Sequence, residues 1–290
     1  MQEPAAHDSA PEAALGWARA GRGAALATVI ETWGSAPRPV GAQLAVGGDA
    51  AMVGSVSGGC VEGAVVAEAL DAIGDGRLRV LDFGVSDDQA FAVGLACGGR
   101  IRVLVEPVGV GDGIDHDLLA RLVAARAARQ PAVYAVRPGS RERRLVGAGD
   151  PLAAAAGEAL AADRSGFRDD WFLAVSNPPL RMAVIGAVHI AQALVPMARL
   201  AGYDVTVIDP RDAFASPERF PETALLYDWP DEALAALGLD TRTAVVTLTH
   251  DPKLDDPAIR AASRGSRGRR PAPPARRGSP GRRASGRGSG

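Results

Sequence analysis

Residues 182–211 read MAVIGAVHIAQALVPMARLAGYDVTVIDPR, and this stretch decides the fold class of the second half of the chain. It divides into an apolar run, a glycine turn, a helical stretch, a glycine stop and a second apolar run, at 182–185, 186–189, 190–201, 202 and 204–208. An acid, Asp209, follows the second run, 23 residues after Gly186. Strand, glycine turn, helix, strand and acid in this order outline a dinucleotide-binding βαβ half and predict an α/β fold.

The glycine turn departs from the dinucleotide-binding fingerprint at its second glycine. The pattern G-x-G-x-x-G/A would need glycine where Val188 stands, and a β-branched side chain there obstructs the approach of a pyrophosphate to the backbone. The fold prediction survives, because strand–turn–helix periodicity does not depend on that glycine. One candidate function is an NAD(P)-dependent oxidoreductase that uses the Gly186 turn and Asp209, and Val188 counts against it.

Polar residues follow three predicted strands of this half. Ligands bind at the carboxyl ends of strands in open α/β sheets. We therefore expect His189, Asp209, Arg211 and His250 to lie at such ends, where they could converge. In the competing interpretation His189 only caps its helix and His250 only hydrogen-bonds within the next turn.

A different glycine turn organises the first half of the chain, in residues 54–63, GSVSGGCVEG. A strand-like run ends in Ser57-Gly58-Gly59, and Cys60 stands where we expect a helix to begin. Backbone N–H groups at such a turn form a ready anion site, and the same position makes a cysteine thiolate more available. The competing interpretation is a tight turn followed by a small buried cysteine.

A second thiol, Cys97, precedes Gly98-Gly99 and a predicted strand from Arg100 to Val105. Both cysteines of the chain thus adjoin a Gly-Gly pair. No CxxC motif and no nearby histidine accompanies either thiol, which argues against zinc. Two structural cysteines at unrelated turns are the alternative.

Composition indicates two folded domains and a tail of different character. Paired prolines at 178–179 cannot continue a helix or a strand, so we place the domain boundary there. Ten arginines and no acidic residue fall in residues 260–290, and residues 261–290 contain only Arg, Gly, Ser, Pro and Ala. Such a segment cannot bury a core and is expected to be disordered. The predicted regions are a flexible start, two domains and a tail: 1–11, 12–176, 180–260 and 261–290.

The chain is expected to be cytoplasmic. Two cysteines do not form a disulfide framework, and residues 1–11 are polar rather than a basic-then-apolar signal segment. No apolar run reaches the ~18 residues that a bilayer span requires, so no membrane partner is expected. The arginine-rich tail raises nucleic acid as a third hypothesis, but it carries no aromatic residue to stack on bases, and nucleic acid is not an expected partner.

Several motifs together resemble the XdhC/CoxI family, the accessory factors of xanthine dehydrogenase and related molybdenum hydroxylases. Those in the first half are ATVI, GSAP, GSVSGGCVE, LACGG and VEP, at residues 27–30, 34–37, 54–62, 95–99 and 105–107. Those in the second half are GAVH, VIDPR and THDP, at residues 186–189, 207–211 and 249–252. The likeness covers about residues 12–260 and implies an α/β amino-terminal domain followed by a Rossmann domain.

The resemblance implies a chaperone rather than a metabolic enzyme, and no catalytic residue. Such proteins bind molybdenum cofactor (molybdopterin) transiently, assist exchange of its terminal oxo for a sulfido ligand, and deliver it to an apo molybdenum hydroxylase. A cysteine desulfurase and a homodimer are further partners left open. The cofactor-binding residues expected on this basis combine both halves: Ser57, Gly58, Gly59, Cys60, Cys97, Gly98, Gly99, Gly186, His189, Asp209, Arg211 and His250. Cys60 and Cys97 are expected near the metal or sulfur end.

The likeness ends near Arg260, where the family continues with further strands and a Gly-Ser-Arg-Arg segment. The composition after that point is largely what GC-rich codons specify, which indicates a shifted reading frame near residue 260. The Rossmann sheet is then expected to be truncated and to expose an unpaired edge near residues 244–248, with aggregation or low stability as the consequence.

Overall fold

The computed structural model describes residues 9–34, 36–84 and 99–265. Contacts divide the chain into two compact units, residues 1–179 and 180–290, with the boundary at the paired prolines. Residues 1–8 of the predicted flexible start, Cys97, Gly98 and the tail from residue 266 onward lie outside the described residues.

The first unit contains nine strands and four helices within its described residues. Its strands are β1 (Ala24–Trp33), β2 (Gln43–Gly47), β3 (Met52–Gly54), β4 (Arg79–Gly84), β5 (Arg100–Pro107), β6 (Ala132–Val136), β7 (Arg143–Leu145), β8 (Gly166–Arg168) and β9 (Trp171–Ser176). Its helices are α1 (Ala10–Arg19), α2 (Glu62–Asp75), α3 (His116–Ala127) and α4 (Ala153–Ala162).

Two antiparallel sheets build this unit, with strand orders β3-β2-β1-β5-β4 and β7-β6-β9-β8. Helix α2 covers one face of the five-stranded sheet, where small and β-branched side chains pack closely, among them Ala27, Val29, Val65 and Ala69. The opposite face packs against α1, α3 and the second sheet, through larger residues such as Leu26, Leu104 and Phe172. Alternation along each strand thus supplies both cores.

One end of the five-stranded sheet gathers the loops that carry the motifs of the first half. Antiparallel pairing aligns Trp33, Arg100 and Gly84, so β1 and β4 end where β5 begins. The turn after β3 and the loop between β1 and β2 leave the sheet at the same end. The Ser57-Gly58-Gly59 turn and Gly99 are therefore attached to one end of one sheet, which we call the loop end.

The second unit is a parallel Rossmann-like sheet with helices on both faces. Its strands are β10 (Arg181–Ile185), β11 (Asp204–Ile208), β12 (Ala224–Leu226) and β13 (Thr243–Thr247), in the order β12-β11-β10-β13. Its helices are α5 (His189–Leu200), α6 (Pro230–Leu237) and α7 (Pro252–Gly265). Helix α5 packs on one face of the sheet, and α6 and α7 on the other. The α/β class expected from residues 182–211 is confirmed.

Two sequence expectations need correction. Helix α2 begins at Glu62, with Val61 at its N-cap, and not at Cys60. Helix α7 continues to Gly265, past the predicted start of the tail at residue 261, because Leu254 and Ala258 bury one side of it against the sheet. The expected edge near 244–248 is present: among the described strands, β13 has β10 as its single neighbour.

Candidate functional site

The turn between β3 and α2 holds the glycine pair and Cys60 at the loop end. Gly58 and Gly59 have φ values of +80° and +118°, a region that glycine enters without steric cost. These conformations direct successive backbone N–H groups toward one point. The turn therefore has the geometry of an anion site, as the sequence predicted.

The anion in this turn is the carboxylate of Glu62. It accepts hydrogen bonds from the backbone N–H groups of Val56 (3.2 Å), Ser57 (2.9 Å), Gly58 (3.1 Å) and Gly59 (2.8 Å). The hydroxyls of Ser55 (2.7 Å) and Ser57 donate to it as well. Residue 62 thus folds back from the first turn of α2 and closes the turn that precedes it.

Burial opposes ionisation of Glu62, but the hydrogen bonds from Ser57 and Ser55 outweigh it and lower the pKa to about 2. The backbone donors that we expected to be bare are thus occupied by an ionised side chain. Reception of a phosphate by the N–H groups of Gly58 and Gly59 is not what this geometry offers, and that part of the prediction is corrected. The turn, closed by Glu62, instead holds the backbone that carries Cys60.

Cys60 lies between Gly59 and the N-cap of α2, and its side chain is exposed. Its backbone N–H and that of Val61 both donate to Ser57 Oγ, each at 3.0 Å. The buried Ser57 therefore holds the entry to α2, and it does not face solvent. The interpretation of Cys60 as a buried structural cysteine is wrong.

A cation lies next to the turn. Arg38, in the loop between β1 and β2, donates from Nε to the carbonyl of Ser55 at 3.3 Å. The adjacent Pro37 lies beside Gly58, since a methyl group added there would be 3.8 Å from Pro37 Cβ. Across the described ranges we find no carboxylate paired with Arg38. Arg38 directly follows the GSAP motif at residues 34–37, and its local sequence does not predict this position beside the turn.

The second glycine-thiol motif reaches the described structure only at Gly99, directly before β5 at the loop end. Cys97 and Gly98 lie outside the described residues, so their expected proximity to Cys60 stays a prediction. Among the described residues, no group of three or more His, Cys, Asp or Glu side chains is arranged to hold a metal ion.

In the second unit, the carboxyl edge of the sheet brings Asp209 and Arg211 together. Asp209 is fully buried and accepts from the backbone N–H of Ala187 at 2.9 Å and from that of Arg211 at 3.0 Å. The Arg211 guanidinium donates to both of its oxygens, at 2.8 and 2.7 Å. Burial opposes ionisation of Asp209, yet the arginine and the backbone donors hold its pKa below the ordinary value.

The glycine turn after β10 packs against the turn after β13. Gly186 has a φ of +103°, and a methyl group added there would overlap Thr249 Cγ2. This glycine is therefore required for close packing between the two turns. Val188 has extended backbone at the N-cap of α5. Thr249 therefore lies against the backbone of the turn at Gly186, and Val188 stands at the entry to α5.

The two histidines do not join this cluster. His189 is the first residue of α5 and its side chain is exposed, while Val188 and not His189 occupies the N-cap. His250 is exposed, has a φ of +59°, and donates its backbone N–H to Asp255 Oδ2 at 2.9 Å. Among the described residues, neither imidazole contacts Asp209 or Arg211, so the expected convergence is limited to that pair.

We expect no saturable binding of NADH or NADPH to this protein. A dinucleotide needs a free acid after the second strand to hold the ribose hydroxyls, and both oxygens of Asp209 are already hydrogen-bonded. Titration followed by nicotinamide fluorescence measures this directly. Saturable binding in the micromolar range that an Asp209→Asn variant loses would instead support the oxidoreductase alternative.

The fold and the site define a class: a two-unit α/β protein with a thiol-bearing turn closed by Glu62 and a Rossmann-like unit whose acid after the second strand is paired with Arg211. Two family models match the sequence, the XdhC and CoxI family over residues 17–84 and the XdhC Rossmann domain over residues 182–272. The chain belongs to the XdhC/CoxI family. The second match runs past residue 260, where the likeness was expected to end.

Similar proteins agree with this assignment. The chain is 33% identical over 243 residues to the molybdenum cofactor insertion chaperone PaoD of Escherichia coli (strain K12), which covers 83% of this chain and 64% of that protein. It is 35% identical over 88 residues to a probable xanthine dehydrogenase subunit of Bacillus subtilis (strain 168), which covers 29% and 26%. The chain therefore spans less than two thirds of each of these relatives.

A solved structure shares the fold. A crystal structure from Bacillus halodurans, described as a xanthine dehydrogenase, superimposes with a TM-score of 0.67 at 21% identity and covers 87% of this chain and 77% of that one. No helix in the described ranges combines the length and the apolar content that a membrane span requires.

Proposed function

We propose that this protein is an accessory factor that binds molybdenum cofactor transiently as cargo, assists its sulfuration and delivers it to an apo molybdenum hydroxylase. The name of the PaoD relative, a molybdenum cofactor insertion chaperone, supports the class of activity. The observation that carries the proposal is the loop end of the first unit. There an exposed thiol stands on a turn locked by Glu62, next to the cation Arg38.

A rigid turn suits transient binding of a labile cargo. Because Glu62 occupies the backbone donors, the position of Cys60 is fixed before any ligand arrives, and binding does not have to order the loop. The exposed thiol is a soft donor, which suits a molybdenum centre and its sulfur ligands. Cys60, together with Cys97, is the proposed contact at the metal or sulfur end.

Arg38 is the proposed contact for the terminal phosphate of the cofactor. A guanidinium binds phosphate through paired N–H donors, and the Nε bond to Ser55 holds this one beside the turn. This role replaces the backbone reception expected from the sequence. The residues Gly58, Gly59, Gly98 and Gly99 then shape the surface around the cargo.

The described residues fit a cargo that brings its own metal ligands. They form no cage of three protein ligands. Molybdopterin holds its metal through its own dithiolene, so one or two protein thiols suffice for a temporary contact. In the second unit, His189, Arg211 and His250 remain proposed contacts, whereas the buried Asp209 is proposed to position Arg211 and Gly186 to shape its turn. A cysteine desulfurase is the proposed source of sulfur.

The test is anaerobic purification followed by molybdenum and pterin analysis of the bound material. We expect Cys60→Ala and Arg38→Ala each to reduce retained cofactor by about tenfold, the loss that corresponds to one charge-assisted or soft-ligand contact. Cys97→Ala is expected to act in the same direction. Activation of a separately prepared apo-hydroxylase by each variant gives the second readout.

Arg22→Ala is the matched control, because Arg22 lies in the same unit, is exposed and pairs with Asp49. It should retain cofactor as the unaltered chain does. If a folded Cys60→Ala/Cys97→Ala protein kept its normal cofactor content and still activated the hydroxylase, the proposed role of the thiols would be wrong.

A further inference from the structure

An exposed aromatic side chain lies at the loop end of the first unit. Trp33 is the last residue of β1 and is 70% exposed, although tryptophan is highly buried on average. Its direct partner across the antiparallel ladder is Arg100, the first residue of β5, whose partner on β4 is Gly84. These three residues therefore form the outermost row of their strands.

Strand alternation shows which face of the sheet this row occupies. Ile101 packs in the core beneath α2, so its neighbours Arg100 and Arg102 point to the opposite face. Direct antiparallel partners share a face, which places Trp33 with Arg100. Farther along this face, Leu104 is buried in the core that α1 and α3 cover. The row of Trp33 thus extends that face beyond its packed part.

The next row inward is charged and joined by ion pairs. Arg102 pairs with Glu31 at 3.0 Å and with Asp82 at 2.9 Å, and all three side chains are exposed. The same residues are direct cross-strand partners. A carboxylate has about four lone-pair sites, so Glu31 can accept further hydrogen bonds while it keeps its ion pair.

The indole of Trp33 is open to a planar ligand. Arg100 lies against Gly84, since a methyl group added to that glycine would be 3.0 Å from Arg100 Cγ and 3.2 Å from its Nε. Among the described residues, no guanidinium stacks on Trp33 and no carboxylate pairs with Arg100. An aromatic face, a hydrogen-bond acceptor at Glu31 and a donor at Arg100 therefore adjoin one another.

We propose that Trp33 is the platform on which the pterin ring of the cargo stacks, a contact that rests on the proposed function. A pterin is a planar fused ring, and such rings stack favourably on aromatic side chains. Its aminopyrimidine edge carries N–H groups, which the Glu31 carboxylate can accept. The ring carbonyl on the same edge can accept from the Arg100 guanidinium.

Each part of the cargo then has a separate contact at the loop end. Trp33 receives the pterin, Arg38 the phosphate and Cys60 the metal or sulfur end. Tryptophan and arginine are also enriched where proteins bind one another, so docking of the hydroxylase is the competing use of this surface. The carboxylate beside the indole favours the pterin, because it matches the N–H groups of the pterin edge.

Titration of the full chain with unsubstituted pterin, which has no metal, dithiolene or phosphate, tests this contact. We expect saturable quenching of the pterin's own fluorescence, excited outside the tryptophan absorption band. Trp33→Ala should raise the dissociation constant about tenfold, and Trp33→Phe should raise it less because a smaller ring remains. Glu31→Gln should also weaken binding, since an amide offers one acceptor oxygen in place of two.

Trp229→Ala serves as the control for an exposed tryptophan, because Trp229 is 49% exposed and lies in the second unit. This variant should bind pterin as the unaltered chain does, and circular dichroism should show that every variant is folded. No saturable quenching by the unaltered chain, or an unchanged dissociation constant in Trp33→Ala, would overturn the stacking contact.

Cofactor content after anaerobic purification distinguishes failure of this contact from failure of the proposed function. An unaltered chain that never carried molybdenum cofactor would contradict the proposed function, while the pterin titration would still decide whether Trp33 binds a pterin. If Trp33→Ala kept its cofactor but no longer activated the apo-hydroxylase, Trp33 would be a docking residue for that protein, and the stacking contact would be wrong.

Discussion

Replacement of Glu62 by glutamine is expected to lower the free energy of unfolding of the first unit by about 3 kcal/mol at neutral pH. The pKa of Glu62 falls from 4.5 to about 2 on folding, and each pKa unit corresponds to about 1.4 kcal/mol. A glutamine offers one acceptor oxygen in place of two, and its NH₂ group faces backbone donors. At least one buried N–H group then loses its partner.

The same contribution has a defined pH dependence. A carboxyl whose pKa is lowered in the folded state stabilises that state fully above its unfolded pKa, here 4.5. The stabilisation is lost as the pH falls toward 2. The unaltered chain should therefore lose about 3 kcal/mol across this window through Glu62, and the glutamine variant should not show this component.

Urea unfolding at pH 7 and at several acidic pH values measures both effects. Glu68→Gln is the control on the same helix, because Glu68 is exposed and pairs with Arg79, and such a pair contributes less than about 1 kcal/mol. The rate at which a thiol reagent labels Cys60 should also become less uniform in Glu62→Gln, since the turn loses the carboxylate that closes it. Equal stability of the two variants would contradict the proposed role of Glu62.

Replacement of Arg143 by methionine is expected to lower the free energy of unfolding of the first unit by about 4 kcal/mol, because it leaves a buried carboxylate without its counter-charge. Arg143 is 6% exposed and Glu106 is 1% exposed. The guanidinium donates to Glu106 at 3.1 Å and to the carbonyls of Gly113 (2.7 Å) and Asp112 (2.5 Å). Tyr134 Oη donates to the same carboxylate at 2.8 Å.

The loss should be smaller in acid. Burial raises the pKa of Glu106, and Arg143 and Tyr134 oppose this rise. Without Arg143, the folded state favours the neutral carboxyl more strongly. A group whose pKa is raised on folding stabilises the folded state at low pH, and this stabilisation is lost as the pH rises through the raised pKa. The difference in unfolding free energy between Arg143→Met and the unaltered chain should therefore be smaller near pH 4 than at pH 7.

Arg141→Met is the control for this prediction. Arg141 lies in the same hairpin and pairs with Asp112, but its side chain is 78% exposed, so its loss should cost less than about 1 kcal/mol. Thermal or urea unfolding at both pH values compares the two variants. If Arg143→Met and Arg141→Met lowered the free energy of unfolding equally, the buried pair of Arg143 and Glu106 would contribute little to stability.

Strands and helices with strong apolar periodicity could be predicted from the sequence. The expected runs 182–185 and 204–208 fall within β10 and β11, because apolar residues recur along both strands and the last three residues of each are buried. Strands β7, β8 and β12 were missed, since three residues carry too little pattern to identify. Helix α7 was missed because Pro257 lies inside it, and an internal proline predicts a break in a helix.

The sequence also located the turn at residues 54–63, the thiol at Cys60 and the acid at Asp209, because glycine, cysteine and acid in these patterns restrict local backbone and chemistry. Only the tertiary structure decided how the polar groups are used. The Glu62 carboxylate folds back into the turn that precedes α2. Arg211 forms an ion pair with Asp209, and Thr249 packs against Gly186. A buried donor or acceptor takes whichever partner the fold brings within about 3 Å, and that choice depends on chain segments that local sequence does not connect.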